Sequence, residues 1–127
     1  PALNREVSRM MWELTGGKYE RVIVDNALNL KVDMGERFVE CSQLSTGTRE
    51  QLYLALRLAM VKLLFPEGDI PVIFDDSFVF YDDRRLARTL AWIGSQGFAQ
   101  VILFTCQHRE MDALERLGME YTPVYLD

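Results

Sequence analysis

The residues best suited to chemistry in this sequence stand directly after two short apolar runs. Ile70-Pro71-Val72-Ile73-Phe74 leads into Asp75 and Asp76, and the run from Ala99 to Phe104 leads into Thr105, Cys106, Gln107 and His108, the only histidine of the chain. Short continuous apolar runs read as strands buried on both faces of a parallel sheet. Ligands of open parallel sheets bind beyond the carboxyl ends of the strands. The two runs therefore put a carboxylate pair and an imidazole on one rim. Adjacent carboxylates repel, and burial makes the repulsion worse. A magnesium ion with a nucleotide relieves it, because magnesium takes hard oxygen ligands, often one or two carboxylates with water and phosphate. On an extended backbone, Asp75 and Asp76 point to opposite sides, one toward the metal and one toward an attacking water. The plainer alternative is that both are solvated, or bonded to backbone N–H groups, in the loop before Asp82.

A second candidate is the segment Leu44-Ser45-Thr46-Gly47-Thr48-Arg49-Glu50-Gln51, which opens a long Leu- and Ala-rich stretch. Small and hydroxylated residues at a helix N-terminus present N–H groups and hydroxyls to an anion. The same residues also make an ordinary N-cap, with Ser45, Thr46 or Thr48 as the cap. Gly16-Gly17-Lys18 is not a phosphate-binding loop, since neither the preceding glycine spacing nor a following Ser or Thr is present. Arg49, Arg57, Arg84, Arg85 and Arg88 read as solvated helix faces. Cys41 and Cys106 form no CxxC or metal-type spacing. They read as reduced core thiols, which suits a cytoplasmic protein.

These groups need elements to position them. Leu3, Val7, Met10, Met11 and Leu14 make one helical stripe over residues 2–14, and Thr15-Gly16-Gly17 stops it. Tyr19 to Val24, Leu28 to Val32 and Phe38-Val39 alternate as strands do, with a turn at Met34-Gly35-Glu36, so the first third predicts a helix followed by a small antiparallel meander. Thr48 to Phe65 is helical and apolar nearly all round, as a helix buried on several sides would be. Helices over Asp82 to Gln96 and Arg109 to Leu117, with a last strand over Met119 to Leu126, complete a strand–helix–strand–helix–strand order and predict a parallel α/β layer. The 127 residues suffice for one domain with a core, and 49% apolar content excludes disorder. A net charge of −5 excludes steering to nucleic acid by the overall field. No apolar run is long enough to span a membrane, and no signal peptide is visible. The start at Pro1 suggests a piece of a longer protein.

Taken together, Leu44-Ser45-Thr46-Gly47, a helix, Val72-Ile73-Phe74-Asp75-Asp76, Tyr81-Asp82 and Ile102-Leu103-Phe104-Thr105 with His108 resemble, in order and spacing, the second half of an ABC-type ATPase head. The motifs would be the ABC signature, the Walker B strand, the D-loop and the switch histidine. The likeness is strongest to SbcC-like and YhaN-like bacterial members of the structural-maintenance-of-chromosomes (SMC) group, whose head is split by a long coiled coil. The resemblance covers nearly the whole chain. It implies that residues 1–14 end the coiled-coil helix, and that residues 15–127 form the C-terminal lobe of a P-loop NTPase head, mainly parallel sheet flanked by helices. It implies that Ser45, Thr46 and Gly47 contact ATP bound on a partner head, Asp75 helps hold Mg2+, Asp76 is the catalytic base, Asp82 lies at the dimer interface and His108 senses the γ-phosphate. The implied cofactors, ATP and Mg2+, both need the N-terminal P-loop half, without which this chain is expected to be inactive. The implied partners are that half, a second head in an ATP-dependent homodimer, DNA and a nuclease subunit, with work in DNA repair or chromosome maintenance. Thr46 stands where the signature usually has its first glycine, and Asp76 where many relatives have Glu. His108 falls two residues later than the usual Ser/Thr-His pairing. The shorter Asp76 gives a second expectation, an ATP-gated dimerising clamp or scaffold with little hydrolysis.

Overall fold

The computed structural model describes residues 2–126. It divides between Asp69 and Ile70 into two compact units.

In the first unit, helix α1 (Ala2–Leu14) buries Val7, Met10, Met11 and Leu14, as its stripe predicts. It ends where Gly16 and Gly17 take φ of 65° and 89°, and the Gly17 N–H donates back to the Trp12 carbonyl at 2.8 Å. Strands β1 (Val22–Val24), β2 (Leu30–Asp33) and β3 (Phe38–Glu40) form the expected antiparallel meander in the order β1-β2-β3. Polar residues of α1 satisfy the outer edge of β1. Ser8 Oγ accepts the Val22 N–H at 2.9 Å, and Asn4 Oδ1 accepts the Val24 N–H at 2.9 Å. A strand edge is thereby capped by a helix rather than left to pair with another chain. The strands are shorter than the alternation implies. Leu28 sits in a turn with φ of 63°, built on the Asp25 carboxylate, which accepts the N–H groups of Ala27 and Asn29. Those two bonds, with a third from the Asn29 side chain, hold the Asp25 carboxyl below its ordinary pKa, the Asn29 backbone bond being the largest cause.

A short 3-10 turn at Cys41–Gln43 leads to α2 (Thr46–Leu64). Helix α2 packs on α1, and buried Gln51 donates to the Leu14 carbonyl at 3.5 Å, using an acceptor that the end of α1 leaves free. Burial runs from Gly47 to Ala59 and then stops, leaving Leu64 68% exposed. The expected all-round burial does not hold: Thr46, Tyr53 and Arg57 are exposed even along the buried part of the helix.

In the second unit, β4 (Pro71–Asp75) and β5 (Gln100–Phe104) pair in parallel, with Asp75 opposite Phe104. Helices α3 (Asp83–Gly94) and α4 (Arg109–Arg116) follow the two strands and pack on each other. The core comprises Val72, Phe74, Phe78, Tyr81, Leu86, Leu90 and Leu114. Two expectations need correction. The strands are not buried on both faces: Val72 and Phe74 are buried, while Ile73 is 45% and Phe104 46% exposed. The last strand, Met119 to Leu126, is absent: residues 119–126 carry no strand. A strand exists only with a hydrogen-bonded neighbour, and Val124, Tyr125 and Leu126 stand at least 74% exposed. The parallel sheet among the described residues thus has two strands. No helix among the described residues is long and apolar enough to cross a membrane.

Thr89, on α3, is fully buried, and its hydroxyl has no hydrogen-bond partner among the described residues. A buried hydroxyl without a partner costs about 1–3 kcal/mol. Thr and Val have similar helix propensity. Thr89→Val is therefore expected to raise stability by roughly 1 kcal/mol in urea unfolding. A loss of that size would mean that the hydroxyl makes a bond after all.

Candidate functional site

The rim predicted at the ends of the apolar runs forms in the second unit. The ladder between β4 and β5 extends one residue further, because the Asp76 N–H donates to the Phe104 carbonyl at 2.9 Å. The Asp76 Oδ1 then accepts the Cys106 N–H at 3.4 Å. Asp76 has φ of 49°, a left-handed conformation that Asp and Asn tolerate better than most residues. The backbone therefore does not stay extended through Asp75-Asp76, and the strict opposition of their side chains fails at that bend. Both carboxylates are exposed. Asp76 combines the two readings left open by its sequence, being at once solvent-accessible and bonded to a backbone N–H.

Three aromatic rings anchor the loop leaving Asp76. Phe74, Phe78 and Tyr81 are each at most 3% exposed, and successive ring centroids lie 5.4 Å apart. The loop ends at Asp82, the N-cap of α3, whose carboxylate accepts the Arg85 N–H at 2.7 Å. On the neighbouring strand end, Thr105 Oγ1 accepts the Gln107 N–H at 3.0 Å and bonds the Glu110 carboxylate at 3.1 Å. Glu110 is 3% exposed. This turn carries Cys106, which is exposed rather than a core thiol, whereas Cys41 is buried as expected. His108 follows at the N-cap position of α4, exposed and without a capping hydrogen bond. No hydrogen bond among the described residues joins His108 to either aspartate, so strand register brings them to one rim without direct contact. Arg109, next in the chain, donates to the Tyr81 carbonyl and to Asp83 Oδ1, the latter at 3.2 Å.

Whether a metal can sit here depends on the donor set. Among the described residues no group of three or more His, Cys, Asp or Glu side chains is placed to hold a metal ion. Asp75 and Asp76 are hard oxygen donors at one strand end. That set fits an ion that takes most of its ligands from water and phosphate, as magnesium does, and does not fit a zinc-type cage.

Ser45, Thr46 and Gly47 lie in the first unit. Ser45 is the N-cap of α2: its Oγ accepts the Thr48 N–H at 3.3 Å and bonds Thr48 Oγ1 at 2.9 Å. Thr46 is exposed and Gly47 is buried in the first turn. The segment is thus an N-cap of the ordinary kind, with the Thr48 N–H taken by Ser45 Oγ and the Arg49 N–H by the Ser45 carbonyl. Sequence reasoning overlooked Arg109, Glu110 and the Phe78–Tyr81 pair. The aromatic spacing after Asp76 was the one available signal. The roles of Arg109 and Glu110 depend on partners that local sequence does not reveal.

No family model matches the chain. The chain is 33% identical over 118 residues to the uncharacterized protein YhaN of Bacillus subtilis (strain 168); the match covers 89% of this chain and 12% of that protein. It therefore spans about one eighth of the length of that curated relative. Among solved structures, it superposes with a TM-score of 0.69 on a chain from work on ATP-driven dimerization and DNA-stimulated activation of SMC ATPases, at 22% identity, covering 88% of this chain and 71% of that one. It superposes with a TM-score of 0.64 on the Smc head domain of Pyrococcus furiosus, solved with an extended coiled coil and bound to the C-terminal domain of ScpA, at 21% identity, covering 88% of this chain and 30% of that one. The fold, with its helix, antiparallel meander, long helix and strand–helix–strand–helix unit, is that of part of an SMC ATPase head domain.

Proposed function

We propose that this chain is the C-terminal half of an ABC-type ATPase head of the SMC group, and that it supplies half of an ATP-hydrolysing site. The observation that carries this reading is the rim itself. Two carboxylates stand at the end of one parallel strand, and a histidine-bearing turn follows its neighbour, in a chain whose fold matches SMC heads over 88% of its length. Residues 1–14 are read as the end of a coiled-coil helix and residues 15–127 as the head lobe. In this reading Asp75 is the protein's ligand to magnesium, which when bound with ATP neutralises phosphate charge. Asp76 takes the proton of the attacking water, His108 reads the γ-phosphate and Asp82 faces the second head. Ser45, Thr46 and Gly47 offer N–H groups and hydroxyls to a nucleotide held by that second head. The P-loop lysine and the magnesium-binding Ser/Thr that such chemistry needs are not in this chain, so they come from an N-terminal half. An SbcC-like role in DNA repair or chromosome maintenance, with DNA and a nuclease subunit as partners, extends the same reading.

The short reach of Asp76 and the bond between its carboxylate and the Cys106 N–H favour one alternative, an ATP-gated clamp that dimerises and hardly hydrolyses. Sedimentation of the full-length protein with and without ATP, together with phosphate release, separates the two. The ATPase reading expects an ATP-dependent dimer that releases phosphate. A dimer without phosphate release supports the clamp, and neither behaviour with ATP would refute both.

A further inference from the structure

The loop from Asp76 to Asp82 is held at its start by the Phe104 carbonyl and in its middle by Phe78 and Tyr81. Its far end has a different tether. The Tyr81 carbonyl lies one residue ahead of the α3 cap, where the helix ladder begins with the Leu86 N–H donating to Asp82. Arg109, the first residue of α4, donates one terminal nitrogen both to that carbonyl and to Asp83 Oδ1. The Arg109 side chain is 26% exposed, while Asp83 is 82% exposed. The carbonyl contact is therefore the sheltered one. The ion pair stands in solvent, where screening leaves it little strength.

Resting on the ATPase reading above, we infer that Arg109 is a positioning residue. It ties the backbone next to Asp82 to the turn that carries His108, so that the residue facing the second head and the residue reading the phosphate keep a fixed relation. Arginine suits such a tether. Its planar fork presents several donors from one rigid group, and Arg109 lines a groove between α3 and α4 together with Leu86 and Ala113.

The test uses the full-length protein and three substitutions. Arg109→Met keeps an aliphatic stem and loses the donors, Arg109→Lys keeps a cationic donor group, and Asp83→Asn removes only the exposed ion pair. Amide hydrogen exchange over residues 77–82 is expected to quicken roughly tenfold in Arg109→Met and to stay near wild type in the other two. The kcat for ATP is expected to fall about tenfold in Arg109→Met with KM almost unchanged, because misplacement of a supporting loop by a fraction of an ångström costs turnover rather than binding. Wild-type exchange in Arg109→Met would overturn the inference, as would equal defects in the Met and Lys variants, or faster exchange with unchanged kcat. If the unmodified protein releases no phosphate, the ATPase reading fails and the catalytic half of this inference goes with it. The exchange rates still decide whether Arg109 holds the loop.

Discussion

Asp76→Asn in the full-length protein is expected to lower ATP turnover at saturating ATP by about 100-fold, the lower end of what a positioned general base contributes, while ATP-dependent dimerisation persists. The substitution is informative because it changes so little else. Position 76 has φ of 49°, and Asn occupies left-handed backbone at least as readily as Asp. The carboxamide oxygen can still accept the Cys106 N–H that Asp76 Oδ1 now accepts. What is lost is the negative charge and the capacity to take a proton. Asp76→Ala would confound that loss with backbone strain and an unpaired N–H. The geometry also bears on why Asp stands there: a longer Glu gains reach toward a water but lacks the short side chain that makes a left-handed residue tolerable. Phosphate release measured under single-turnover conditions gives the decisive number. Turnover within twofold of wild type would remove Asp76 from the base role.

The legibility of this chain follows the range of the forces involved. Helix α1 was readable because burial of Val7, Met10, Met11 and Leu14 is a one-dimensional pattern. An N-cap at Ser45, Thr46 or Thr48 was readable because capping is decided within three residues, and the bond from the Thr48 N–H to Ser45 Oγ selects Ser45. The shared rim was readable because parallel pairing puts the carboxyl ends of two strands on one edge, and the register confirms it with Asp75 opposite Phe104. Features set by distant partners were not legible. Nothing in Ile70 to Phe74 tells whether one or two faces are covered, and only the exposure of Ile73 answers that. The apolar residues of 119–126 predict a strand by composition, yet a strand needs a neighbour to bond. The bend at Asp76 depends on a carbonyl and an N–H from residues 104 and 106. Arg109 looks like any surface arginine until Tyr81 is placed beside it.

The second large effect is expected from Phe78→Ala, a loss of about 3–5 kcal/mol in urea unfolding. Phe78 is 2% exposed and stands between Phe74 and Tyr81, with centroids 5.4 Å from each. Alanine removes the ring from both contacts and leaves a cavity that a loop tied at both ends cannot readily close. The tilted ring pairs add roughly 0.5–1.5 kcal/mol each beyond the buried area. Such a loss is a large share of the roughly 5–15 kcal/mol that stabilises a typical domain. Phe78→Leu, which refills much of the space, should lose less than half as much, and a loss below about 1 kcal/mol for alanine would show that the ring is not part of a packed core. The same substitution tests the site from behind. Phe78 has no polar side-chain group of its own, yet it lies between Asp76 and Asp82 in the chain and pins the loop that carries both. A variant that remains folded in mild conditions should therefore lose turnover along with stability, whereas Thr89→Val, also buried in this unit, should leave turnover unchanged. The contrast separates the packing that builds the rim from the packing that merely fills the unit.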